Sequence, residues 1–368
     1  MNRYISQKLR FFTFLAVVLL GYVHGYNLRE TYLLPFSIVK EPIRFTTFFE
    51  YLFANGLLRF RIPLLFIISG YIYAIQDNRP YGDRTKKRVR TLLVPYLIWS
   101  AVGLLITFIW QQFPLTAYAL QNANLDQMGD NRPYTEIGWP GILERWIVAP
   151  IAFHLWFILY LFLYNVAYPF FRWVIIKYPV FWLTLTGILW FINFQLFFIH
   201  GLGLFFFSAG VWISKKNIVI DRKPKWFSHY LAWLIFFGFS IIKTFMAFEL
   251  ELNPLSIFVM SFLYAGSTIA GIIAFWFGID SFIRWCMQQK WFVWATSFSF
   301  IIYALHNPLV IYVTNLFLIL MGDFPLARLS LYIVVPFLIV LFCIGTGALL
   351  RKIVPSVYRL ATGGRGLG

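Results

Sequence analysis

Ten stretches of this chain are apolar over a length that can cross a bilayer, and that pattern constrains the fold more than any motif does. A spanning helix needs roughly 20 mostly apolar residues, because backbone polar groups in lipid must be satisfied within the segment or within a closed barrel. The runs lie at about 10–28, 57–76, 91–110, 148–171, 179–198, 200–214, 230–248, 255–279, 292–320 and 329–350. The sixth is short and follows the fifth almost directly. The expectation is an all-α, polytopic membrane helix bundle of about ten transmembrane helices. Composition supports it: 60% of the residues are hydrophobic and 12% charged, whereas soluble domains carry about 25% charged residues. Soluble and disordered classes are excluded together. Two cysteines, Cys286 and Cys343, exclude a disulfide framework and a thiolate metal cluster.

Charge placement sets the expected orientation. With the N-terminus inside, the inner segments hold 22 basic residues and four acids, Asp77, Asp83, Asp221 and Asp280. The outer loops hold six basic residues against ten acids, and Arg59, Arg61 and Lys243 fall inside spans. Such an asymmetry follows the positive-inside rule with both termini cytoplasmic. It accounts for the net charge of +17 without a nucleic-acid partner and places the chain as a multi-pass protein of the cell inner membrane. The basic start RYISQKLR followed by FFTFLAVVLL resembles a signal peptide but lacks an A-x-A-like cleavage site, so it reads as an uncleaved first helix. Residues 1–352 form one membrane domain in this reading and 353–368 a short cytoplasmic tail. The polar outer loop 111–147 is expected to be an ordered cap, and Trp139, Trp146 and Trp291 to anchor span ends at the interface.

Ionisable groups inside the runs carry the functional information, since each central charge costs about 2.5–3.5 kcal/mol on insertion scales. His24 lies in LGYVHGYN, where Gly21 and Gly25 permit close approach of a helix or a substrate; an interhelical hydrogen bond is the plainer role. Arg10, fourteen residues earlier, projects within roughly 40° of His24 on the same helix, about 21 Å away along the axis. Arg59 and Arg61 open the second run, LLRFRIPLLFIISGYIY, where they either snorkel to headgroups or serve a site beside the irregular backbone at Pro63. Ser69–Gly70 reads as a small-residue packing contact. The inner loop NRPYGDRTKKRVR is either a topology signal or a clamp for a cytosolic polyanion, which arginine forks suit. His154 lies in AFHLWFILY and His306 in SFSFIIYALHNPLV, where Asn307–Pro308 breaks the helical ladder. His200 and His229 read as interfacial. No metal is predicted: there is no H-E-x-x-H, cysteine cluster or intramembrane carboxylate set, and the missing carboxylate also argues against a Ser–His–Asp triad.

Taken in order, these segments resemble the acyltransferase family 3 of integral membrane proteins, which includes bacterial O-acetyltransferases of surface glycans. The resemblance rests on a first-span basic residue followed by His, then RFRIPLLFIISGY, KKRVRTLLVPYLIW, FHLWFILYLF and TSFSFIIYALHNPL, and covers nearly the whole chain. The family's first-span pattern is Arg or Lys, ten residues, then His. Here Thr13 holds the basic position and thirteen residues separate Arg10 from His24, although Arg10 and Thr13 project only about 60° apart, one turn offset.

The resemblance implies transfer of an acyl group, most often acetyl, from cytosolic acyl-CoA (acetyl-CoA) to a hydroxyl of a surface glycan or lipid-linked sugar. It implies catalytic roles for His24, Arg59, Arg61 and His154, donor binding by Arg10, Lys87, Arg88 and Arg90, and substrate binding by Trp156, His306 and Asn307. A sugar hydroxyl is a far weaker acid than imidazolium, whose pKa is about 6.5, so His24 would act as a general base during attack, with Arg59 or Arg61 stabilising the oxyanion. The separation of Arg10 from His24 is comparable to an extended pantetheine arm. The alternative is a transporter or flippase of a glycan intermediate or small anion, which predicts internal symmetry; the polar runs show no such pairing. A non-enzymatic scaffold has little reason to bury these histidines and arginines.

Overall fold

The structure, a computed structural model, describes residues 3–28, 34–121, 132–196, 199–322 and 326–366. Among the described residues its regular elements are helices apart from two paired two-residue strands, Gln195–Leu196 and Ile199–His200. Seven helical runs among the described residues are long and apolar enough to cross a membrane: Arg3–His24, Phe45–Ile75, Tyr81–Gln111, His229–Glu249, Pro254–Gly278, Ser299–Met321 and Ala327–Ile353. An eighth span is available if the helices Phe153–Val166 and Tyr168–Lys177, bent by 66°, form one broken crossing. Pro179–Phe191 and Gly201–Lys215 are shorter apolar helices.

Three expected boundaries are corrected. The second run begins at Phe45 rather than near 57, because FTTFFEYLFANG continues the helix through a π turn at Leu52–Gly56. Glu50 and Asn55, which a run starting near 57 leaves outside the span, are both buried. Arg59 and Arg61 therefore lie within a helical run and not at its mouth. The supposed inner loop is helical from Tyr81, since after Pro80 its Arg and Lys residues are good helix formers. The fourth run starts only at Phe153, because Pro150 interrupts the preceding segment, and it bends just before Pro169. Of the 111–147 loop, Pro114–Gln121 and Tyr134–Ile147 are helical, and residues 122–131 lie outside the described set.

Chain contacts divide the molecule into two compact units, Met1–Ala16 with Tyr32–Lys87 and Tyr160–Val293, and Val17–Thr31 with Arg88–Leu159 and Trp294–Gly368. In the first, the helices Arg61–Ile75 and Gly201–Lys215 touch through their backbones: a Cβ on Gly70 would strike the Phe207 carbonyl, and one on Gly210 the Ile67 carbonyl. Gly70 is thus the packing contact its sequence setting suggested. Below it, Asp77 accepts hydrogen bonds from Arg84 Nη1 at 2.8 Å, Arg172 Nε at 2.9 Å and Lys215 Nζ. Arg84 also stacks on Tyr73 and Tyr168, 4.1 and 4.7 Å from their centroids. One carboxylate ties three helices to the end of the Arg61–Ile75 helix.

Burial alone would push the Asp77 carboxyl up, but the Lys215, Arg84 and Arg172 hydrogen bonds outweigh it and hold the group at about 2, below its usual 3.8. A depressed carboxyl contributes stability that is fully present above the unfolded pKa and is lost as pH falls through the folded one. Thermal unfolding of the detergent-solubilised protein is therefore expected to show a loss of roughly 2 kcal/mol from this group between pH 4 and pH 2. Asp77→Asn should remove that acid-sensitive component and lower stability at neutral pH by a similar amount. An unchanged melting profile would show that the carboxylate ties nothing.

In the second unit, the Pro355–Thr362 helix joins the Val94–Gln111 helix through a hydrogen bond from Trp99 Nε1 to the Ala361 carbonyl at 2.8 Å. Thr107 and Tyr312 share a buried hydroxyl contact of 2.7 Å, tying Val94–Gln111 to Ser299–Met321. These links hold the frame on which the histidines sit.

Candidate active site

His24, His154 and His306 all belong to the second unit and converge there. His24 ends the Arg3–His24 helix and is half-buried. The neighbouring glycines seat the helix end against a proline and leave no room there for substrate: a Cβ on Gly25 would lie 2.8 Å from Pro336 Cγ and 3.0 Å from Val310 Cγ2. His154 lies in the short 3-10 turn Phe153–Leu155 and is 2% exposed. His306 is fully buried on Ser299–Met321. That helix breaks at Asn307 (φ −115°, ψ 132°), because Pro308 lacks an amide hydrogen and forces the residue before it into extended backbone.

The three rings form a triangle. Their centroids are 6.3 Å apart for His24–His154, 5.5 Å for His24–His306 and 4.7 Å for His154–His306. Phe153 meets His24 edge-on at 4.9 Å, and Tyr303 meets His154 at 5.0 Å. The Tyr303 hydroxyl donates to the His154 carbonyl at 2.6 Å, fixing the turn that carries the imidazole. His306 Nδ1 lies 2.9 Å from the carbonyls of both Ile302 and Tyr303. Carbonyls only accept, so Nδ1 carries the proton and Nε2 is the lone-pair nitrogen. Beside it, Asn307 is 1% exposed, and neither its Nδ2 nor its Oδ1 has a hydrogen-bond partner among the described residues. A buried primary amide left unsatisfied costs about 1–3 kcal/mol, so it calls for a ligand. Among the described residues no three His, Cys, Asp or Glu side chains are grouped to hold a metal ion.

Arg59 and Arg61 belong to the first unit. Arg59 Nε donates to Asn55 Oδ1 at 2.8 Å, and Arg61, 3% exposed, donates from Nη1 to the Leu58 carbonyl at 3.3 Å. The π turn at Leu52–Gly56 presents the Asn55 carbonyl to Lys243 Nζ at 2.9 Å. Lys243 is fully buried, 5.2 Å from the Tyr51 ring centroid and 5.9 Å from that of Tyr264. This polar cluster was only half legible: Lys243 showed as a charge inside an apolar run but was given no role. Asn55 and the buried Glu50 were placed in a loop. Snorkelling fails for Arg61, which is packed inside protein.

The remaining candidates are dispersed. Arg10, in the first unit, donates from Nη2 to the Val293 carbonyl at 2.7 Å, and Thr13, at the position where the family carries a basic residue, donates to Leu9. Lys87 and Arg90 are exposed and Arg88 half-buried, Arg88 and Arg90 in the second unit. Trp156 begins the Trp156–Val166 helix, two residues beyond His154, with its ring edge-on to Phe157 at 6.2 Å. Phe153 and Tyr303 escaped sequence reasoning, although the three-residue spacing from Tyr303 to His306 puts both on one helix face.

Comparison with known proteins identifies a family and a relative. A family model described as "Acyltransferase domain" matches residues 6–349. The chain is 26% identical over 320 residues to the succinoglycan biosynthesis protein ExoH of Rhizobium meliloti (strain 1021), covering 84% of this chain and 80% of the relative. No solved structure matches. With nearly its whole length matched, the chain belongs to the acyltransferase family 3 of multi-pass membrane proteins.

Proposed function

We propose that this protein transfers an acyl group, acetyl in the simplest case, from cytosolic acyl-CoA to a hydroxyl of a surface or lipid-linked polysaccharide. The observation that carries the reading is the convergence of His24, His154 and His306 beside the unsatisfied amide of Asn307. Similarity to a succinoglycan biosynthesis protein supports a polysaccharide acceptor. A topology with both termini cytoplasmic, as the positive-inside pattern favours, would set the triangle towards the far leaflet, since His24 ends the first long apolar helix.

In this mechanism the acceptor oxygen attacks the thioester carbonyl while His24 takes its proton. The tetrahedral oxyanion then collapses, the carbon–sulfur bond breaks, and the proton passes from His24 to the leaving CoA sulfur. His306, protonated at Nδ1, offers Nε2 as acceptor to a neighbouring hydroxyl of the sugar, and His154, its turn held by Tyr303, and Trp156 are proposed to bind the substrate beside it. Asn307 Nδ2 is suited to hydrogen-bond the developing oxyanion. Arg59, half-buried, and Arg61, packed inside protein, are proposed to meet negative charge on a substrate, where reduced contact with water strengthens each charge–charge contact.

Arg88 and Arg90 are proposed to hold the donor phosphates. Their joint replacement by Gln is expected to raise the apparent KM for acyl-CoA about tenfold or more, with kcat changed far less. Initial rates at varied donor concentration check this; an unchanged KM would return the segment to a topology signal. Arg10, with its guanidinium on the Val293 carbonyl, and the exposed Lys87 are weaker candidates for the same task.

A further inference from the structure

The glycine-rich segment after the last helix is built into the second unit and brings two arginines with it. Pro355–Thr362 ends in a left-handed Gly363. The chain then runs so close to its neighbours that a Cβ on Gly363 would lie 2.6 Å from Thr91 Cα, and one on Gly366 would strike the Ser297 carbonyl and lie 2.7 Å from the Tyr358 hydroxyl. Arg365 Nη1 donates to the Thr91 carbonyl at 2.7 Å, within the π turn Val89–Leu93, and to the Thr362 carbonyl at 2.9 Å. Arg351 Nη1 donates to Ser297 Oγ at 3.0 Å and to the Gly366 carbonyl at 2.9 Å. Each guanidinium rests on an aromatic face, Arg365 at 4.6 Å from the Phe300 centroid and Arg351 at 4.3 Å from that of Phe298.

This packing fixes both forks while engaging, among the described residues, one terminal nitrogen of each in hydrogen bonds. Two buried hydroxyls beside them, Thr91 Oγ1 and Tyr358 Oη, have no hydrogen-bond partner among the described residues. Charge is equally one-sided. Residues 84–125, 294–322 and 324–368 contain no Asp or Glu, so no side-chain carboxylate from these segments neutralises Arg351 or Arg365. Burial and then the charge of Arg88 pull the Arg365 guanidinium down to about 10, which leaves it charged at neutral pH. Two stacked forks held in place beside orphaned hydroxyls are the chemistry of a phosphate site.

We infer that Arg365 and Arg351, with Thr91, Tyr358 and the neighbouring Arg88, form a phosphate-binding site whose ligand is the nucleotide end of the acyl donor. The choice of ligand rests on the acyl-CoA reading above; the phosphate chemistry does not, and a phospholipid headgroup would satisfy it equally. The glycines serve the site by letting the segment lie against Thr91 and Ser297.

The test uses the full-length protein in phosphatidylcholine nanodiscs and measures CoA binding by calorimetry. Arg365→Gln and Arg351→Gln are each expected to weaken CoA on the order of tenfold to a hundredfold. Pantetheine, which lacks the phosphates, should bind both variants as it binds the wild type, and Arg365→Lys should restore only part of the CoA affinity, because it keeps the charge and loses the fork. If Arg365→Gln fails to fold, Arg351→Gln carries the measurement alone. A wild-type protein that ignores CoA but enriches phosphatidylglycerol from mixed lipid, with the enrichment lost in the variants, would support the site with a headgroup ligand and sink the acyl-CoA reading instead. Wild-type CoA affinity and wild-type lipid retention in both variants would overturn the inference.

Discussion

Replacing His24 by Ala is expected to lower kcat by about a thousandfold, within the 10²–10⁴ range of a positioned general base, and to leave KM for acyl-CoA within about twofold. The side chain ends its helix, is half-buried, and meets Phe153 at its edge, so truncation opens little core and the melting temperature should stay near that of the wild type. The helix end itself is held by Gly25 against Pro336 and Val310, contacts that the substitution does not touch. His24→Gln, which keeps a polar side chain but cannot accept the proton, should be as inactive as the Ala variant. Rates from labelled acetyl-CoA, set beside thermal unfolding of the same preparations, separate lost chemistry from lost protein. A variant retaining a tenth of wild-type turnover would remove His24 from the chemistry.

Asn307→Ala should part stability from activity. The amide is buried with neither polar atom bonded among the described residues, so its removal relieves a desolvation penalty of about 1–3 kcal/mol, offset in part by the small cavity left behind. The expected result is equal or slightly higher thermal stability. If the amide donates to the oxyanion, kcat falls by about a hundredfold, the usual loss for one such donor. Both readings come from one purified variant, by thermal unfolding and by initial rates. A strongly destabilised but fully active protein would mean that Asn307 holds the helix break and nothing more.

The sequence made the candidate chemistry visible because imidazoles and guanidiniums are costly in lipid and stand out against apolar runs. His24, His154 and His306 were found on that ground, and the break at Asn307 followed from Pro308. Periodicity could not show that three segments from distant parts of the chain would bring their rings within 6.3 Å, since that depends on long-range packing. Span edges failed where a helix carries polar residues: Glu50 and Asn55 read as a loop but are buried along a helix, and the basic run 81–90 read as a loop but is helical. The segment 363–366 falls within 353–368, read from the sequence as a short tail. Here its missing side chains let it fit closely against Thr91 and Ser297.

The central claim is that a histidine-lined site inside the membrane moves an acyl group onto a sugar, and it is tested most directly in vesicles. Purified protein is reconstituted with lipid-linked glycan and supplied with acetyl-CoA labelled in the acetyl carbon. Alkali-labile label is expected on the glycan, absent with His24→Ala and restored by no other added component. Glycan that crosses the bilayer without acquiring label, or label acquired equally by the His24→Ala protein, would contradict it.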